Sequence, residues 1–415
     1  NYSKMRWNNL ISAASVQKNP QNSPFLNKPF TLKLFAILKL MLFATPVFAQ
    51  KKSELTLQWK VANELPAETG KAVSIGVAGP VTGVYKDRFI VAGGANFPGG
   101  MPWEGGAKKY HDQVYIYSQD RRKLKLQSAT DTLPRPVAYA ASCSINDGLL
   151  YAGGENESGF SEQVWLIAFE TDGKIRFTAL PSLPEPVSNA SIALLGHTVY
   201  LAGGENNSQA FASLLALDLN YRVAGWKKLA DIPQPVSHAV LTAGSNQTGD
   251  YLYLSGGRKK NSNGISTIYH SLWVYDIKRN NWTGKAALPY ALCAGTGIQS
   301  DGNTILLFGG DRGLVFNKAE TLIAAINAET DPVKKQELIR EKNQLQSTHP
   351  GFSREILKYT IENDSWSSVA EIPYDTPVTC TAVKGNHGIL IASGEIRAGV
   401  RSPKILSLKI RHKRP

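Results

Sequence analysis

Two marks recur along this chain at a spacing of about 50 residues, out of phase with one another, and together they leave few folds open. The first is an apolar run ending in a glycine pair, at residues 89–94, 149–154, 199–204, 251–257 and 305–310; a sixth copy, 389–394, keeps only the second glycine. The second is an aromatic residue seven positions before a proline: Trp59 and Pro66, Phe177 and Pro184, Trp226 and Pro233, Trp282 and Pro289, Trp366 and Pro373. At the remaining copy, which ends at Pro134, Gln127 takes the aromatic's place. Each unit reads as four antiparallel strands. A small-residue strand such as 190–195 follows the proline, the apolar run is second, an alternating strand such as 271–276 is third, and the aromatic sits on the fourth.

This pattern resembles the kelch repeat, and six such sheets around an axis make an all-β, six-bladed kelch-type β-propeller. The phase of the marks predicts how the ring closes. After residue 49 the chain opens with a lone fourth-type strand, 55–60, and it ends on a third-type strand, 404–410. The last blade is therefore expected to take its outer strand from the N-terminal side, which removes an open seam. One blade carries a surplus. The glycine marks at Gly310 and Gly394 are 84 residues apart, and the surplus, from about 317 to 350, holds a helix-favouring run at 319–329 and then Asp331-Pro332 as the cap and first turn of a second helix that ends near 346. A shorter, glycine-rich insertion, 96–109, holds Phe97, Met101 and Trp103.

Residues 1–49 contain six Lys or Arg and no Asp or Glu, then an apolar stretch that ends in Val-Phe-Ala at Ala49. That order predicts a secretory leader over 1–49, the propeller over 50–415, and an exported, periplasmic protein. The apolar run after Lys39 is too short to span a bilayer, so no stable membrane insertion is expected once the leader is cleaved. Without the leader, 40 basic residues face 33 acidic ones, a net charge of +7. So mild an excess argues against a nucleic-acid surface. Three cysteines, Cys143, Cys293 and Cys380, are an odd number placed in different repeats, and they read as buried free thiols.

The chemistry concentrates in residues 393–401, Ser-Gly-Glu-Ile-Arg-Ala-Gly-Val-Arg, on the loop that leaves a short apolar strand. One carboxylate, Glu395, lies beside two guanidinium groups, Arg397 and Arg401, which suits acid/base work on a small acidic molecule. Loops that leave second strands and loops that enter first strands gather at one end of a propeller channel. Here they supply Asn96, Glu155, Glu205, Arg258, Asp311, Arg312 and the 393–401 group, with Arg135, Glu185 and Gln234 on the entering side. A solvated turn is the bland reading of any one of these; their convergence makes a polar mouth of mixed charge.

With those residues in view, the chain resembles the sialic acid mutarotase family, also called N-acetylneuraminate epimerases, in a cyclically permuted form. Its specific marks are residues 92–99, Ala-Gly-Gly-Ala-Asn-Phe-Pro-Gly, the helical insertion with Phe316-Asn317 near its start, and 394–401 in the last blade. The resemblance implies an isomerase that interconverts the α and β anomers of N-acetylneuraminate by acid/base ring opening and closure, with Glu395 and Arg401 as the catalytic pair. It further implies Arg397, Arg312, Asn96 and Asn317 as substrate contacts, a small sugar acid as the partner, no cofactor and no metal. The kelch marks alone equally suit a non-catalytic propeller that binds glycan or protein. A sialidase would need Ser-x-Asp-x-Gly-x-Thr-Trp repeats that are missing, and a copper oxidase a Tyr and His arrangement the sequence does not show.

Overall fold

Alternating apolar strands and glycine-ended runs build six four-stranded antiparallel sheets, as the repeat predicts. The computed structural model describes residues 55–68, 70–120 and 123–412, so the expected leader lies outside the described residues. The innermost strands are Val81–Tyr85, Ala141–Ile145, Ser191–Leu195, Val240–Asn246, Thr296–Asp301 and Ala382–Gly385. Each pairs with a nearly fully buried second strand: Arg88–Ala92, Gly148–Ala152, Thr198–Ala202, Gly249–Ser255, Thr304–Phe308 and Gly388–Ala392. The inner strands pack side by side all the way round, sheet six against sheet one included, and so form a closed propeller.

Closure follows the predicted route. Leu55–Glu64 pairs antiparallel with Lys404–His412, from Leu55 opposite His412 to Glu64 opposite Lys404. The strand is four residues longer than the sequence marks suggest, with a bulge between Val61 and Asn63. Its Trp59 packs edge-on against Phe308 of the fifth blade, ring centroids 5.9 Å apart. The repeated tryptophan thus has a physical role: where it is present, it ties its blade to the one before. Trp226, Trp282 and Trp366 do so by donating their indole N–H to the carbonyls of Pro181, Ala230 and Ala286 at 2.8–3.0 Å.

Around the axis runs a second device that the sequence marks do not announce. The N–H of Gly79 donates to Thr379 O, Thr379 to Ala294, Ala294 to His238, His238 to Asn189, Asn189 to Tyr139 and Tyr139 back to Gly79, all at 2.8–3.0 Å. All six residues have positive φ, and five of them are not glycine. This ring of peptide groups surrounds the axis where the inner strands begin. Below it a channel of ≈ 350 Å³ is lined by the small residues of those strands.

The surplus in the fifth blade is a helical hairpin, α1 (Leu314–Ala328) and α2 (Pro332–Ser347). Asp331 caps α2, accepting from the N–H groups of Val333 and Lys334, and Pro332 opens its first turn. α1 starts at Leu314, five residues before the helix-favouring run expected from 319, because Gly313 turns the chain at φ +82° and Asp311 Oδ1 accepts its N–H. Glu320 fastens α1 to the fourth blade by accepting from the N–H and hydroxyl of Ser266. The three cysteines are free, and burial pushes the thiols of Cys143 and Cys380 up to about 12.

Deleting residues 50–60 should lower the unfolding free energy by at least about 3 kcal/mol, the low end for losing one large core aromatic, before the lost strand pairing is counted. Denaturant unfolding checks this; a truncated protein that unfolds with the full-length midpoint would refute closure by that strand.

Candidate active site

The first residue after the glycine mark that ends each second strand forms a β-bridge back to the segment leading into its own blade's inner strand, a few residues before that strand begins. The six pairs are Ala95 with Ala78, Glu155 with Ala138, Glu205 with Ser188, Arg258 with Ser237, Asp311 with Cys293 and Glu395 with Val378. Backbone pairing therefore fixes five ionisable side chains at equivalent positions around the mouth. A cavity of ≈ 360 Å³ opens there. Its floor includes Tyr139, His238, Ala294 and Thr379 of the hydrogen-bonded ring. Phe97, Trp103, Phe316 and Phe352 wall it, supplied by the first-blade insertion, α1 and the segment after α2.

Glu395 and Arg401 are brought together as their spacing predicts. Glu395–Arg397 and Val400–Arg401 form a tight hairpin in which Glu395 and Arg401 are cross-strand partners. Gly399 makes the turn at φ +72°, and its N–H donates to Glu395 Oε1 at 2.8 Å. A Cβ at Gly399 would lie 3.1 Å from Met101 Sδ, so this turn also seats the first-blade insertion. Arg401 Nη1 stands 3.6 Å from Glu395 Oε1, and the guanidinium lies over the Phe97 ring at 4.6 Å. Only 4% of the Arg401 side chain is exposed, yet its Nε and Nη1 have no hydrogen-bond partner. Buried guanidinium N–H groups left open are costly, and an anion is the natural acceptor.

The remaining mouth residues fall into two groups. Glu205 is neutralised: Arg258 Nη2 donates to it at 2.8 Å, Ser237 Oγ at 2.8 Å and Asn189 Nδ2 at 3.3 Å. Burial would raise its pKa, but His238, Arg258 and these bonds outweigh burial and hold it low. Burial, aided by Arg258, drops the neighbouring His238 to about 4. Glu155 accepts from Tyr110 Oη at 2.7 Å and from Lys108 Nζ at 3.1 Å. Burial favours neutral Lys108, but Tyr139 and Glu155 overcome it and keep the ammonium charged. Glu395 and Asp311 behave oppositely. Burial raises both carboxyls above the usual range, despite Arg401 and Gly399 N–H beside Glu395 and Gly313 N–H beside Asp311.

Other residues expected at the site sit differently. Arg397 points to Asp375, 3.4 Å away, and Arg312 binds Glu355 while lying on the Tyr290 ring; neither lines the cavity. Asn96 is buried one residue beyond the equivalent position. Its amide donates to Gly76 O and its oxygen meets His111 Nε2, so it braces the loop beneath the mouth. Asn317 donates to Ser266 O from α1 and lies outside the cavity wall. Arg135, Glu185 and Gln234 also fall outside it, and Gln234 binds Ser271. Unforeseen from sequence were Lys108, Tyr139, His238 and His349, which do line it. For Tyr139 and His238 the available signal was the position two residues before each inner strand. Among the described residues no His, Cys, Asp and Glu group has the makings of a metal site, and no helix is long and apolar enough to cross a membrane.

The model of the N-acetylneuraminate epimerase family matches residues 38–175 and 180–414. The N-acetylneuraminate epimerase of Vibrio cholerae is 27% identical over 197 residues, 46% of this chain and 50% of that protein. A kelch domain-containing protein of the same organism is 26% identical over 192 residues, 46% of this chain and 53% of its own. The matches thus span about half the length of these curated relatives. The solved structure of YjhT superposes with a TM-score of 0.57 at 15% identity, covering 85% of this chain and all of that one, a likeness of fold.

The low His238 value sets a pH dependence of stability. Below about pH 6.5 the unfolded chain protonates this imidazole while the fold, which holds it neutral to about 4, does not; stability therefore falls as pH drops through that window, by about 3 kcal/mol in all. His238→Asn keeps a residue tolerant of the left-handed backbone and should flatten that slope in denaturant titrations at stepped pH. An unchanged slope would refute the assignment.

Proposed function

The chain belongs to the N-acetylneuraminate epimerase family, and from that membership we propose that it interconverts the α and β anomers of N-acetylneuraminate by opening and reclosing the pyranose ring. The observation that carries this reading is Arg401, buried beside Glu395 with two N–H groups unanswered, in a cavity whose size suits a small molecule. A sugar acid supplies the missing acceptor as its C1 carboxylate. Planar, permanently charged guanidinium matches that carboxylate in a way an ammonium does not.

With the carboxylate held by Arg401, the anomeric centre C2 and its hydroxyl lie next to the anchored group and so toward Glu395. Ring opening removes the proton of that hydroxyl, turns C2 into a ketone and breaks the bond from C2 to the ring oxygen, which takes up a proton. Rotation about C2–C3 presents the other face, and closure reverses both transfers. Burial raises the affinity of Glu395 for a proton, which brings a carboxylate nearer to the strength a general base needs at neutral pH. Phe97, Trp103, Phe316 and Phe352 shield the exchange and offer apolar surface to the sugar's N-acetyl methyl and ring carbons.

Glu395→Gln should fold normally and lose about 100- to 10,000-fold of the catalysed rate. Arg401→Lys should mainly raise KM, by about 10- to 100-fold, the range for a charge-assisted bond lost. NMR of anomer exchange after fresh release of the α anomer measures both. Binding without acceleration by the unaltered protein would make it a non-catalytic glycan-binding propeller instead.

The basic, acid-free segment 1–49 supports export to the periplasm as part of the same reading. N-terminal sequencing of periplasmic protein should then begin at Gln50; a retained leader on cytoplasmic protein would contradict it.

A further inference from the structure

Opening a pyranose needs one proton removed and another delivered, and Glu395 accounts for only one of the two. Resting on the anomer-exchange function, we propose that Asp311 is the second proton-transfer group, donating to the ring oxygen while Glu395 takes the proton of the anomeric hydroxyl. Asp311 occupies in the fifth blade the position that Glu395 occupies in the sixth, and both carboxyls line the same cavity. Of the other four equivalent positions, Ala95 has no proton to give, and Glu155, Glu205 and Arg258 are bound up in ion pairs. Among the described residues Asp311 enters no ion pair. Its Oδ1 accepts the Gly313 N–H at 2.7 Å, and no described donor engages Oδ2.

The groups facing each carboxyl suit unequal protonation. Arg401, Lys108 and the Gly399 N–H act on Glu395 and favour its anion. Burial disfavours the Asp311 anion most, and Gly313 N–H and Arg258 relieve it only in part. The two carboxyls also repel as anions, Asp311 raising Glu395, so ionising one makes the proton of the other harder to remove. The rival donors are weaker. His349 accepts the Gly351 N–H at its Nδ1, and burial lowers its pKa, which leaves a neutral imidazole with a poorly acidic Nε2–H. Tyr139 is made less acidic by burial, and Lys108 is held charged chiefly by Tyr139 and Glu155.

The step balances. Glu395 carboxylate takes the hydroxyl proton, the O–H electron pair forms the C2 carbonyl, the C2–O bond of the ring breaks, and Asp311 protonates the departing ring oxygen. On closure that oxygen returns its proton to Asp311 as it attacks C2, and Glu395 reprotonates the former carbonyl oxygen. No oxidant or co-reactant is needed.

The test is Asp311→Asn, whose amide oxygen can still accept the Gly313 N–H, assayed by anomer-exchange NMR across pH beside the unaltered protein and Glu395→Gln. The unaltered protein should give a bell-shaped profile. Asp311→Asn should lose kcat by at least about 100-fold with KM within about threefold, and its profile should keep only the rise with pH that belongs to Glu395. Near-normal kcat, or a loss of activity with the bell intact, overturns the role of Asp311. If Glu395→Gln is still inactive in that case, the anomer-exchange function stands. No acceleration by the unaltered protein would instead remove the function itself.

Discussion

Six peptide hydrogen bonds running head to tail around the axis are the constraint from which the rest of this molecule follows. Each blade gives one N–H to a neighbour and one carbonyl to the other, through Gly79, Tyr139, Asn189, His238, Ala294 and Thr379. The φ values of 52–57° place five non-glycine residues in the left-handed region, a strain of about 1–3 kcal/mol each that persists only where the surroundings over-determine it. Here the ring over-determines it, because no member can relax without breaking two bonds. The same geometry sets the floor of the cavity, so the device that closes the propeller also presents Tyr139, His238 and Thr379 to whatever enters.

Above that floor the bridge positions turn a circular repeat into an electrostatic pattern. Glu155 and Glu205 have cations within 3.1 Å and are satisfied. Glu395 and Asp311 are less well compensated, and burial keeps their proton affinity high. Buried charges are tolerated when paired and costly when not, so one side of the mouth is electrostatically satisfied and the other is left under-compensated. Arg401 belongs to the under-compensated side, since its one ion pair is weak and its Nε and Nη1 have no hydrogen-bond partner.

The two insertions complete what the repeat cannot supply. Blades give small inner strands and polar loop starts, whereas aromatic walls come from the first-blade insertion and from the chain around α1 and α2. Phe97 lies on Arg401 and Phe316 on Arg258, which holds each guanidinium flat and removes water from one face. Asn343 of α2 reaches the Trp103 carbonyl, so the two insertions touch across the mouth. Such a roof lowers the local dielectric and strengthens every charge beneath it.

Much of this was legible in the amino-acid order. The glycine pairs and spaced aromatics specify six sheets because each mark answers a local need: a positive φ at a strand end, or an indole that staples a blade to its predecessor. The Glu395 and Arg401 pair was equally legible, because six residues around a glycine turn make cross-strand partners by backbone geometry alone. What only the tertiary structure decided is which loop residues are already partnered. Arg397, Arg312, Asn96 and Asn317 share the composition of a site, yet each finds a structural partner, Asp375, Glu355, Gly76 and Ser266, that no local pattern foretells. Lys108, Tyr139, His238 and His349 reach the cavity through ring closure and the insertions, contacts between residues far apart in the chain. Local periodicity encodes strands and turns, whereas desolvation and pairing depend on neighbours that exist only once the disc has closed.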